Sequence, residues 1–130
     1  MNRITYYTLE DPVSAEEYKK MIRNINEWST GALMSLYKNN LLLVQAKFDN
    51  ILYYFIKLSK INNLPFNINK EQEEEILLLL SAIGVKSSEI YQDIKNNDYD
   101  IEMVHDTLIY NITFSQQILD IIDSIHYYYY

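Results

Sequence analysis

The feature that most constrains the fold is an apolar ladder: Met34, Tyr37, Leu41, Val44, Phe48, Ile51, Phe55 and Leu58. Its steps alternate three and four residues, the spacing at which side chains return to one face of an α-helix. A strand would repeat every two residues, so the ladder predicts one long helix, about 31–61, packed against others. At about 1.5 Å per residue that helix is roughly 45 Å long. Ser29-Thr30-Gly31 supplies a break before it, with Ser29 or Thr30 as cap, and Asn62-Asn63-Leu64-Pro65 ends it. Lys38, Gln45, Leu52 and Ser59 flank the seam on one side, and Leu33, Asn40, Lys47 and Tyr54 on the other. These flanks do not pair opposite charges, as a charge-specified coiled coil would. Leu36, Leu42, Leu43 and Ile56 add apolar surface outside the seam. The helix therefore reads as the central beam of a bundle, with surplus apolar area for an oligomeric contact.

The remaining elements follow from their punctuation. Ser14 and Glu17 have the spacing of a capping box, with Val13 and Tyr18 placed as a hydrophobic staple. Tyr18, Met21, Ile22, Ile25 and Trp28 then mark one face of a first helix. Residues 1–12 read as an extended N-terminal arm whose Tyr6 and Tyr7 tuck against the bundle. Asn69 is a cap for a third helix, and Glu71, Glu73, Glu74 and Glu75 meet the positive end of its dipole. Ile76, Leu77, Leu80 and Ile83 form its buried side. Gly84 is placed as a left-handed C-terminal cap, with Val85 touching Leu80. A short extra helix, about Ser88 to Lys95, stops at Asn96-Asn97-Asp98. The last helix runs from near Asp100 to about His126 on Ile101, Val104, Leu108, Ile112, Leu119, Ile122 and Ile125, interrupted by Asn111 and Ser115. With only 2 Gly and 2 Pro, long helices are favoured over a turn-rich sheet. The expected fold is all-α and four-helix-bundle-like, one domain over 1–130 with a tyrosine tail at 127–130.

Charge narrows the partners. The net charge is −7, and the chain has no cysteine, which excludes disulfides, thiolate ligands and a thiol nucleophile. Residues 31–61 carry Lys38, Lys47, Lys57 and Lys60 against Asp49, whereas residues 62–130 carry a net −9. Without a cluster of Lys and Arg to displace counterions, nucleic-acid binding is not expected. No secretory signal opens the chain, and its apolar runs fall short of the roughly 20 residues that span a bilayer. The expectation is no membrane partner and an intracellular setting, cytoplasmic in a host cell or virion-associated.

Chemistry-bearing motifs are few. Glu102-x-x-His105 and Asp123-x-x-His126 have the carboxylate–imidazole spacing of di-iron bundles, yet lie about 31 Å apart on one helix. The partner glutamates are absent from the other core positions, so no metal is expected. Helical ribonucleases of the HEPN type need an Arg shortly before a His, and the only arginines, Arg3 and Arg23, are far from either histidine. Glu102-Met103-Val104-His105-Asp106-Thr107-Leu108, with Ile112 and Thr113 beyond, resembles the phospho-acceptor segment of a histidine-kinase family. That resemblance implies phosphotransfer at His105, with Asp106 assisting the proton. Ile109 and Tyr110 depart from the glycine and glutamine usual after that motif, and no ATP-binding domain accompanies it.

No catalytic set and no cofactor are expected. The anticipated function is a non-enzymatic helical protein–protein interaction or assembly module, self-associating, of viral or mobile-element accessory type. Its candidate interface is Tyr53, Tyr54, Tyr127, Tyr128, Tyr129 and Tyr130, large amphipathic contact area, with Glu71, Glu73 and Glu74 as an acidic surface. An acidic inhibitor or immunity-type protein for a basic partner is the alternative, and phosphotransfer at His105 a second.

Overall fold

The first helix begins where its cap requires it to. Ser14 Oγ accepts from the Glu17 N–H at 3.1 Å, and the Glu17 carboxylate accepts from the Ser14 N–H at 3.1 Å. In the computed structural model, residues 13–128 are described, with side chains to Ile125. The N-terminal arm, including Tyr6 and Tyr7, lies outside the described residues. Four helices follow: α1 (Ala15–Tyr37), α2 (Leu41–Ser59), α3 (Lys70–Lys95) and α4 (Ile101–Tyr128). Among the described residues there is no strand, and no helix is long and apolar enough to cross a membrane.

The all-α, four-helix architecture is as expected, but two boundaries move. The helix anticipated at about 31–61 does not exist as one element. α1 runs straight through Ser29-Thr30-Gly31, and the chain turns at Lys38-Asn39-Asn40. Gly31 costs a helix only about 1 kcal/mol relative to alanine. Here it also lets Lys47 of α2 approach, its ammonium donating to the Gly31 carbonyl at 3.3 Å. The small residues Ser29, Ala32 and Ser35 are buried, continuing the core face of α1 past the supposed break. Met34 and Tyr37, the first two rungs of the ladder, are exposed.

The turn closes through Asn39, whose φ of 58° is left-handed, a conformation that asparagine tolerates better than most residues. The Asn39 N–H donates to Leu36 O at 2.9 Å and the Asn40 N–H to Ser35 O at 2.9 Å. That double bond pattern is a Schellman motif. Asn40 then caps α2, its side chain accepting from the Leu43 N–H. The α3–α4 turn repeats the device with Asn97 at φ 56°, Asn97 N–H to Ile94 O and Asp98 N–H to Asp93 O.

The second moved boundary is at Gly84. It is helical and buried in the middle of α3, so Ser88–Lys95 continues α3 and is not a separate short helix. Its bare Cα accommodates Phe55 of α2, because a methyl group there would overlap the phenyl ring. Val85 accordingly points to solvent instead of covering Leu80. Leu77 and Ile101, also expected inside, are exposed.

Each helix packs on its chain neighbours and α1 closes on α4, while neither diagonal pair meets. Neighbours are antiparallel. Tyr37 meets His105 at one end of the α1–α4 pair and Lys19 meets Asp123 at 2.8 Å towards the other. Tyr18, Ile22 and Ile25 of α1, Val44, Phe48 and Ile51 of α2, Ile76, Leu80 and Ile83 of α3, and Val104, Leu108, Ile118 and Ile122 of α4 fill the square.

A polar layer crosses it at mid-height. Asn111 donates to Ser87 Oγ at 2.8 Å, and Asn26 donates to Ser115 Oγ at 2.9 Å and to Ile112 O at 3.1 Å. These are the residues that interrupt the apolar face of α4. Asn111 Oδ1 and Ser29 Oγ are buried without a partner among the described residues.

Candidate interaction surface

α2 is apolar on the side that packs and again on the side that does not. Val44, Phe48, Ile51 and Leu58 are buried. Opposite them Leu42, Ala46, Asp49, Tyr53, Ile56 and Lys60 recur at alternating four- and three-residue steps, and all are exposed. Leu42 is 81% exposed, Tyr53 54% and Ile56 49%. Four of these six positions are apolar, whereas a helix with one packed face ordinarily turns a polar one to solvent. The stripe is basic at its C-terminal end, where Lys57 and Lys60 stand exposed. The Lys57 ammonium sits 5.2 Å from the centre of the Tyr53 ring and 3.4 Å from its hydroxyl. Tyr54 meets Tyr53 edge-on at 5.2 Å but is half-buried against the core.

The neighbouring corner carries a second stripe. Glu71, Glu74, Leu78, Ser81, Val85, Ser88 and Gln92 recur at three- and four-residue steps along the outside of α3. Leu78 is 72% exposed and Val85 59%. This stripe is acidic at its N-terminal end. Between the corners the Asp49 carboxylate faces Tyr91, whose phenol ionises above its ordinary value through desolvation first and Asp49 second.

The residues anticipated as one interface separate into two groups. Phe55 sits against Gly84, which sets Tyr53 level with the second half of α3. Glu71 and Glu74, both exposed, and half-buried Glu73 are about 20 Å further along that helix. Asn111 lies opposite Ser87, and equal counts of residues onward bring the α4 backbone at Tyr127 level with Glu71. The tyrosine side chains at 127–130 lie outside the described residues. Sequence reasoning missed Leu78 and Val85, although the stripe spacing that includes them was present to be found.

Carboxylates do not gather on one face. Glu71, Glu73, Glu74, Glu75, Asp120 and Asp123 occupy one end of the bundle, and Asp98, Asp100, Glu102 and Asp106 the other. Among the described residues the ion pairs between full charges are Lys19–Asp123 and Arg23–Glu16, the latter at 3.9 Å. Lys57, Lys86 and Lys95 instead cover Tyr53, Tyr110 and Tyr91.

His105 lies on the α1–α4 groove with its side chain 36% exposed. Tyr37 Oη is 3.1 Å from Nε2 and Asp106 Oδ1 is 3.3 Å from Nδ1. A neutral imidazole with its proton on Nδ1 satisfies both contacts, donating to Asp106 and accepting from the phenol. Nε2 is thus engaged by a hydroxyl unless Tyr37 swings away. No group of three His, Asp or Glu side chains that could hold a metal occurs among the described residues. No family model, no curated protein and no solved structure matches the chain, so the reading of this surface rests on its own residues.

Proposed function

We propose that this chain is a non-enzymatic helical interaction module that self-associates through the outer faces of α2 and α3. The observation that carries the reading is the unpartnered apolar stripe of α2, with Leu42, Tyr53 and Ile56 all about half exposed or more. Single exposed apolar residues are ordinary on any protein, but a stripe at helical spacing on an already packed helix is not. The acidic-inhibitor reading draws less support, because the carboxylates divide between the two ends of the bundle.

Analytical ultracentrifugation across a concentration series tests the proposal. Association is expected for the parent chain, and Leu42→Ser with Ile56→Ser should weaken it while leaving helicity intact. A chain that remains monomeric up to about 1 mM, where even about 4 kcal/mol of association gives half-saturation, would sink it.

A further inference from the structure

The two exposed stripes differ in charge and match in spacing. The α2 stripe ends in Ile56 and Lys60, with exposed Lys57 beside Ile56, while the α3 stripe begins with Glu71 and Glu74. Laid antiparallel, one register sets Lys60 against Glu71, Ile56 and its neighbour Lys57 against Glu74, Tyr53 against Leu78, Asp49 against Ser81, Ala46 against Val85 and Leu42 against Ser88. Every charge on either stripe then meets an opposite charge or a hydroxyl donor. Small Ala46 also faces the branched Val85, which lets the two helices approach.

From this complementarity we infer that the occupant of the α2 face is the α3 face of a second copy of this chain, docked head-to-tail. The inference rests on the self-association proposed above and specifies its partner surface. Within one bundle Phe55 lies against Gly84, whereas this register sets Phe55 level with Ile76 of the second copy. The second copy is thus shifted about 12 Å along the helices, a two-fold axis cannot close the pair, and the contact is heterologous. Each copy keeps a free α2 or α3 face, and copies add into chains or a ring instead of stopping at two. A two-fold pairing of α2 with itself about Tyr53 would join Asp49 to Lys57. It would leave Leu42 without cover and Leu78 and Val85 wholly in solvent.

Charge exchange tests the register. Lys57→Glu with Lys60→Glu makes one variant, and Glu71→Lys with Glu74→Lys makes the other. Each alone should need about tenfold or more protein for half-association, since the facing ends now repel. Mixed one to one, they should recover association, because each basic stripe again finds an acidic one. Reversed charges at Glu71 and Glu74 oppose the α3 dipole, so circular dichroism checks that helicity survives. Ala46→Glu with Val85→Lys as the partner variant repeats the exchange at mid-helix, away from that effect.

Association of the separate variants at the parent's concentration would overturn the inference. So would a parent species that stops at a dimer, although self-association itself would stand. A parent that never associates removes both.

Discussion

Tyr18 shows how one atom can tie stability to pH. Its ring is buried edge-on against Phe66 at 5.2 Å, and its hydroxyl has no partner among the described residues. Desolvation raises the phenol well above its ordinary value of 10.0. The folded state therefore holds this proton more tightly than the unfolded one, so stability is complete below pH 10 and falls as pH rises beyond it. Thermal melts between pH 8 and pH 11 should show that loss. Tyr18→Phe should flatten it and be neutral or stabilising by about 1 kcal/mol, since it deletes a buried unpaired hydroxyl. The Ser14–Glu17 cap has the opposite sign. Its hydrogen bonds from Ser14 lower the Glu17 carboxyl below the ordinary value of 4.5. The cap is complete above that value and weakens as pH falls. Ser14→Ala should cost about 1 kcal/mol in chemical denaturation at neutral pH.

At the scale of elements, Gly84 and Phe55 hold α2 and α3 together through an absence of volume. Gly84→Ala would gain about 1 kcal/mol of helix propensity and drive a methyl into an aromatic ring. The clash should win, with a net loss of about 1–2 kcal/mol in urea unfolding, and Phe55→Leu in the same chain should recover part of it. The buried layer is a second test. Ser87→Ala strands the Asn111 amide and should cost about 1–3 kcal/mol, whereas adding Asn111→Leu should return most of that loss.

These elements also show where the sequence was legible. The Ser14–Glu17 box and the Asn69 cap announced their helices, because a cap is a local bargain between a side chain and orphan backbone donors. The α1–α2 turn was hidden. Buried Ser29, Ala32 and Ser35 are too small to count as apolar rungs, while exposed Met34 and Tyr37 fell by chance in step with α2. The same Asn-Asn pair that ends α3 was present at Asn39-Asn40. Gly84 misled because a glycine reads alike whether it frees the backbone or makes room for a neighbour. The candidate surface was half legible: Tyr53 stood out as an aromatic, but Val85 looked like part of a cap and Leu78 was lost in a run of four leucines. Burial depends on which helix lies alongside, and one sequence does not carry that.

For the whole molecule, charge works against compactness. Among the described residues lysines cover tyrosine rings at three places and meet a carboxylate at one, so few carboxylates are neutralised locally and the net −7 repels itself. In the Leu42→Ser, Ile56→Ser variant, where association does not intervene, moving from low salt to about 0.3 M NaCl should raise the melting temperature by about 3 °C. A melting temperature that falls with salt would mean that attractive pairs dominate instead.

The doubly apolar α2 has a consequence for how the chain comes to be folded. α1 and α2 form a local hairpin across a three-residue turn, so they can meet before α3 and α4 are available. Until those helices close the square, α2 shows water both its future core and its outer stripe, and such intermediates stick to one another. Refolding yield should therefore drop as protein concentration rises, and the stripe substitutions should restore it. The surface that readies the finished protein for company sets a ceiling on how crowded its newborn chains can be.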